Sequence, residues 1–152
     1  NFRITEMQSA IGRIQLKKLK EWRNIRKKNA TILNDLLKSN VLVRIPFPEK
    51  QIIHAWYKFN CFLNLEFLKE DWNRKRIIEE IRAKNLPAFQ GSCSELYLEK
   101  SISKNCKNKF RLSIAKELGL TNLTFLIHPT INQNEMIYYG ENINKVLRSA
   151  IK

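Results

Sequence analysis

The strongest constraint in this chain is one unbroken helical pattern at its start. Apolar residues recur at Ile4, Met7, Ile11, Ile14, Leu19, Trp22, Ile25, Leu33 and Leu36, mostly three or four residues apart, the spacing that lines one helical face. Thr5 and Gln8 stand at the front of that pattern. A Thr hydroxyl accepts from first-turn amides while Gln reaches back, so the pair reads as a capping box. No proline occurs before Pro46. The pattern predicts a helix to about Lys38, roughly 50 Å long at 1.5 Å per residue. That is long for a small domain and reads as a strut or an interface.

Downstream the periods shorten. Val41 to Ile45 is a strand candidate closed by Pro46 and Pro48. Residues 54–65 alternate, with Ala55, Tyr57, Phe59, Cys61, Leu63 and Leu65 on one face. His54, Trp56, Lys58, Asn60, Phe62 and Asn64 fall on the other, which predicts a half-buried strand. Asn73 is a good N-cap for a helix to about Lys84 with Ile77, Ile78 and Ile81 inward, halted by Asn85 and Pro87. Leu86 to Gln90 reads as a strand. Gly91 and Ser92 then make a turn, with Ser92 and Glu95 capping a short helix to about Lys100. Lys104 to Lys109 is a basic loop. Ile114 to Leu118 reads as a helix ended by Gly119, and Leu123 to Ile127 as a strand before Pro129. Asn132 and Glu135 cap a last helix carrying Met136, Ile143, Val146, Leu147 and Ala150. Helices alternating with short strands predict an α/β two-layer sandwich of α+β type. Its small, mostly antiparallel sheet carries helices on one face. The 152 residues fit a single domain.

The net charge is +14, from 28 Lys and Arg against 14 Asp and Glu. Such an excess speaks about partners, not about fold. Arg13, Lys17, Lys18, Lys20, Arg23, Arg26, Lys27 and Lys28 crowd the first helix. One reading is a standalone basic nucleic-acid-binding module. No helix-turn-helix, zinc-finger or RNA-binding sheet pattern accompanies these charges, so a solvated helix face is favoured. Nothing has the length of a transmembrane helix or the h-region of an export signal. The three cysteines, Cys61, Cys93 and Cys106, have unrelated spacings. They suggest neither a disulfide framework nor a zinc site, and they fit a reducing, cytoplasmic setting. Four scattered glycines build no phosphate loop.

Few residues announce chemistry by themselves. His54 and His128 are the only histidines and have no carboxylate at metal-binding spacing, so no metal is expected. His128, before Pro129, reads as structural; His54 is either a solvated edge or a ligand contact. Cys93 falls at an expected helix N-terminus, where a thiolate is stabilised, but no local base supports a nucleophile. A small lining residue is the favoured reading.

Several blocks, taken in order, carry a resemblance. The opening Asn1-Phe2-Arg3-Ile4-Thr5-Glu6-Met7-Gln8-Ser9-Ala10-Ile11-Gly12 resembles the N-[YF]-R-M-x-E-[IM]-Q-A-A-I-G signature of the DegT/StrS sugar-nucleotide aminotransferases. Gln15 to Leu19 continues it, and His54 to Phe59 is similar to the family's His-plus-aromatic strand. Ile77 to Phe89 resembles its I-x-x-I-R-A-x-x-I-P-x-F block, and Gly91 to Tyr97 one subgroup's G-S-C-x-E-[IL]-Y turn. Phe125 to Thr130 matches its final strand.

The resemblance implies a pyridoxal 5′-phosphate enzyme of fold type I that works as a homodimer. Such an enzyme moves an amino group, usually from glutamate, onto a nucleotide-linked keto-sugar for lipopolysaccharide, capsule or glycan synthesis. The chain matches only the family's C-terminal small domain. It lacks the S-x-H-x-x-K lysine segment, and it opens on Asn1 rather than Met. The expectation is a fragment, inactive and without cofactor by itself, whose residues 1–38 lead to a larger domain. By position in the motifs, Asn1 would approach the cofactor phosphate across the dimer. Arg3 would meet phosphate or sugar nucleotide, and His54 the diphosphate. Gln90, Ser92 and Cys93 would line the mouth near the sugar.

Overall fold

A computed structural model describes residues 3–103 and 110–152. Asn1 and the basic loop at 104–109 lie outside the described residues. The expected long helix is present as α1, Glu6–Leu37, with Thr5 as N-cap. Thr5 Oγ1 accepts from the Gln8 amide at 3.3 Å, and Gln8 Oε1 accepts from the Thr5 amide at 3.0 Å. At 1.5 Å per residue its 32 residues span about 48 Å.

The remaining elements are shorter than α1. They are β1 (Val43–Arg44), β2 (Phe59–Leu63), α2 (Arg74–Arg82), β3 (Ala88–Phe89), α3 (Lys100–Ser103), α4 (Ser113–Thr121), β4 (Asn122–Phe125) and α5 (Gln133–Ser149). The four strands form one antiparallel sheet in the order β1-β2-β4-β3. The register sets Phe59 opposite Phe125 and Cys61 opposite Leu123, so the apolar residues of β2 and β4 share a face. That face buries Phe59, Cys61, Leu123 and Phe125 against Ile77 and Ile81 of α2, Leu33 and Leu37 of α1, and Ile143 and Leu147 of α5. Each such side chain contributes about 1.5–3 kcal/mol on burial. The expected mixed sandwich with a small antiparallel sheet is the observed architecture.

Only the C-terminal part of α1 enters this core: its buried residues are Asn29, Ala30, Leu33 and Leu37. There α1 crosses α5 at Gly140, where an added Cβ would press on Leu36 and Leu33. Asn29 Nδ2 donates to the carbonyls of His128 and Ile131, both at 3.2 Å, and ties α1 to the turn before α5. The front of the helical stripe meets solvent, with Ile4 66%, Met7 78%, Ile11 58% and Ile14 53% exposed.

The structure corrects several local expectations. The strand expected over residues 54–65 is restricted to Phe59–Leu63. Trp56 has φ +52°, a left-handed conformation that costs energy for a bulky side chain. Its amide donates to His54 Nδ1 at 2.9 Å, closing a tight bend. A residue with reversed φ flips the alternation. Trp56 turns inward against Phe47 and Phe59, and Tyr57 turns out, the opposite of the expected faces. The other expected strands are also shorter than their apolar runs. Gly119 does not stop its helix, because α4 runs on to Thr121. It is small for a tertiary reason: an added Cβ would overlap the Ser94 hydroxyl. Ser92 caps no helix. The turn there is a single 3-10 turn, Leu96–Leu98, without a side-chain cap, because the Glu95 carboxylate is engaged elsewhere.

Candidate functional site

The turn after β3 is held against the sheet by its glycine. Gly91 has φ +82°, which side-chain-bearing residues rarely adopt. A Cβ there would overlap the side-chain amide of Asn122 and crowd Thr124 Oγ1. Thr124, itself 1% exposed, donates within a knot of polar side chains, with Oγ1 2.6 Å from Asn60 Oδ1 and 2.8 Å from Asn122 Oδ1. This knot covers the sheet face opposite the core and seats the turn on it.

Gln90, Ser92 and Cys93 come together in one cleft of about 410 Å³. Arg74, Glu95, Glu99, Lys116 and Gly119 complete its polar wall. Arg74, in the first turn of α2, donates from Nη1 to the Gly119 carbonyl and from Nη2 to Gln90 Oε1 at 3.4 Å. A second cleft of about 1060 Å³, over Trp72, Ile78 and Phe89, shares Arg74, Gln90 and Gly91 with the first, so the two form one trough.

The helix N-terminus expected at Cys93 is not found. Cys93 precedes no helix N-terminus; its Sγ donates to Glu99 Oε1 at 3.2 Å. That hydrogen bond, with smaller contributions from burial and from the charges of Glu99 and Glu95, pushes the thiol pKa up. The favoured reading, a lining residue, agrees with its place in the cleft wall. Cys61 is fully buried in the core, and burial pushes its thiol up to about 12.

Glu95 anchors the far side of the cleft. Its carboxylate takes two bonds from Arg111 and one from the Tyr97 hydroxyl, the latter at 2.7 Å. These bonds hold the carboxyl below its ordinary range. The Tyr97 oxygen in turn accepts from the Leu112 amide at 2.9 Å. No sequence pattern points to this clamp or to Arg74. Arg111 lies 16 residues from Glu95, and Arg74 lies 16 from Gln90 and 45 from Gly119, beyond the reach of any local pattern.

His54 lines a different cleft, of about 390 Å³, between α1 and the Phe47–Trp56 loop, with Arg23, Asn24 and Lys27 on the helix side. Its Nδ1 is occupied by the Trp56 amide, which leaves Nε2 as the outward nitrogen. Arg3 is exposed, two residues before the α1 N-cap. His128 Nδ1 meets Thr130 Oγ1 at 2.8 Å, consistent with a structural turn. Of the expected site residues, then, three share one cleft, His54 occupies another, Arg3 precedes the helix, and Asn1 is undescribed. Among the described residues no group of three or more His, Cys, Asp or Glu side chains is placed to hold a metal ion. Among them, too, no helix is long and apolar enough to cross a membrane.

Comparison with known proteins agrees with this architecture. An aminotransferase from Psychrobacter cryohalolentis matches with a TM-score of 0.90 and 36% identity, over 99% of this chain and 40% of that one. The Escherichia coli GDP-4-keto-6-deoxy-D-mannose-3-dehydratase, solved with bound hydrated pyridoxal phosphate, shares the fold at a TM-score of 0.77. It is 21% identical, over 97% of this chain and 36% of that one. An uncharacterized protein of Methanocaldococcus jannaschii is 32% identical over 85 residues, 56% of this chain and 22% of that protein. The chain thus spans two fifths or less of the length of these relatives. The model of the DegT/DnrJ/EryC1/StrS aminotransferase family matches residues 1–143, and the chain belongs to that family.

Proposed function

We propose that this chain is the C-terminal domain of a pyridoxal-phosphate-dependent aminotransferase. In this reading the enzyme transfers an amino group, with glutamate as donor, to a nucleotide-linked keto-sugar in the cytoplasm, for lipopolysaccharide, capsule or glycan synthesis. The observation that carries it is the single cleft in which Gln90, Ser92 and Cys93 meet, within a chain matched to the family over residues 1–143. Gln90 and Ser92 offer neutral hydrogen-bonding groups suited to sugar hydroxyls. Arg3 offers a planar fork suited to phosphate. His54, with Nδ1 occupied, offers an Nε2 donor to a diphosphate oxygen even when neutral. Asn1 is assigned to the cofactor phosphate of a neighbouring subunit in a homodimer, on the motif alone.

The described residues do not by themselves fit pyridoxal phosphate. The cofactor's aldehyde needs a sheltered lysine, whereas Lys116, in the candidate cleft, is exposed. In the adjoining cleft, Lys69 Nζ donates to the Ser149 carbonyl at 2.9 Å and Lys75 pairs with Glu79. In this reading the cofactor's electronic chemistry belongs to residues other than the described ones.

The test is direct. The full-length encoded protein is supplied with pyridoxal phosphate, glutamate and a panel of nucleotide-linked keto-sugars, and the products are read by mass spectrometry. Replacement of a sugar carbonyl oxygen by an amine supports the reading; its absence across the panel counts against it. The 152-residue chain alone gives no transfer, and amine formation by it would overturn that part of the proposal.

A further inference from the structure

Arg74 is absent from every motif that carries the family resemblance, yet its side chain, like that of Gln90, lines both clefts. It stands directly after the Asn73 cap of α2, whose Oδ1 accepts from the Arg76 amide at 2.9 Å. From there its guanidinium spans to the Gly119 carbonyl in the last turn of α4 and to the side chain of Gln90. The main-chain bond fixes where the fork sits. The second arm then acts on Gln90.

A guanidinium has five donors and no acceptor. Whatever faces it must be an acceptor, so the Gln90 amide can meet Arg74 only through Oε1. A glutamine amide is otherwise free to turn over, presenting either oxygen or NH2 to a ligand. Held at its oxygen, Gln90 keeps its nitrogen, with two N–H donors, on the side away from Arg74. Gln90 also follows Phe89, which is paired in β3 with Thr124, and precedes Gly91, which is pinned on Asn122. The backbone at this point is fixed on both sides, so the remaining freedom lies in the Gln90 side chain, its amide included.

We propose that Arg74 is a positioning residue that sets the polarity of Gln90, making it a donor toward the cleft. Resting on the function proposed above, this also names the matching ligand chemistry. The sugar substituent read by Gln90 is a hydrogen-bond acceptor, a carbonyl or hydroxyl oxygen. A charged ammonium group, which has only donors, is disfavoured there.

The experiment has two arms on the full-length encoded protein. The first labels glutamine with 15N and follows the Gln90 side-chain amide by NMR, assigned by its loss in Gln90→Leu. In the wild type its order parameter is high, and in Arg74→Met it falls to that of a solvent-exposed glutamine. Equal mobility in both proteins overturns the positioning claim, whether or not the protein turns out to be an aminotransferase. The second arm reads steady-state kinetics. Gln90→Glu keeps a partner for Arg74, and so keeps the fold, but replaces the N–H donors by acceptors. It raises KM for the keto-sugar tenfold or more and leaves KM for glutamate unchanged. Arg74→Met raises the same KM by a smaller factor, and Arg74→Lys, with one mobile ammonium in place of a two-armed fork, does not restore it. An unchanged sugar KM in Gln90→Glu overturns the donor assignment. Absence of any amination by the wild type is instead a failure of the functional reading, and the NMR arm still decides the role of Arg74.

Discussion

The Glu95 carboxylate accepts both arms of the Arg111 guanidinium, Nε at 2.9 Å and Nη2 at 2.6 Å, across 16 residues of chain. A two-point planar pair is more directional than a single lysine contact and holds both side chains in one geometry. With the Tyr97 hydroxyl bonded to both Glu95 and the Leu112 amide, the pair joins the two ends of the excursion between Glu95 and Leu112.

This clamp makes stability depend on acid. The hydrogen bonds from Arg111 and Tyr97, in that order, hold Glu95 below its ordinary 4.5 in the folded chain. A depressed folded pKa means that its contribution is complete above the unfolded value and fades as pH falls through the folded one. The thermal midpoint of Glu95→Gln is therefore lower than that of the wild type at pH 7, and the gap closes as pH is lowered below about 4.5. Parallel midpoint curves for the two proteins would remove the clamp as the cause.

Gly91→Ala tests the seat of the cleft. The substitution places a side chain at φ +82° and drives its Cβ into Asn122. A cost of about 1–3 kcal/mol is expected from the conformation alone, read as a shift in the urea midpoint at unchanged m-value. Asn122→Ala in the same background removes the overlap but not the strain, so it restores only part of the loss.

Cysteine chemistry distinguishes two environments. Cys61, pushed up to about 12 by burial, resists alkylation at pH 8 unless the chain unfolds. Cys93 is exposed, but its thiol is raised, first by its hydrogen bond to Glu99. Glu99→Gln removes that negative acceptor and speeds iodoacetamide labelling at Cys93, measured by peptide mass spectrometry. A slower or unchanged rate would contradict the assigned cause.

The two halves of α1 respond differently to truncation. Leu33 is 0% exposed at the α1–α5 crossing, so Leu33→Ala costs about 2–5 kcal/mol. Met7 is 78% exposed, and Met7→Ala changes the stability of this chain by no more than about 0.5 kcal/mol. Chemical denaturation of the two variants side by side separates a helix held by packing from one held by its cap.

The features legible in the sequence are those decided within a few residues. The Thr5–Gln8 and Asn132–Glu135 capping boxes, the Asn73 cap and the Ile77, Ile78 and Ile81 stripe all appear as read. Each depends on spacing along one helix. The blocks at 1–12, 54–59 and 77–97 carried the family because they are runs of consecutive residues. The strand expected at 54–65 failed where one residue, Trp56, took a left-handed conformation that alternation does not encode.

The tertiary structure decided what depends on distant neighbours. Gly119 is small because Ser94 lies against it, not because a helix ends there. Glu95 faces Arg111 rather than a helix cap, and Arg74 turns the oxygen of Gln90 toward itself. A local pattern records periodicity and caps because those energies act between near neighbours in sequence. Which polar atom meets which across a cleft depends on how sheet and helices dock, and that is determined by the packed core as a whole.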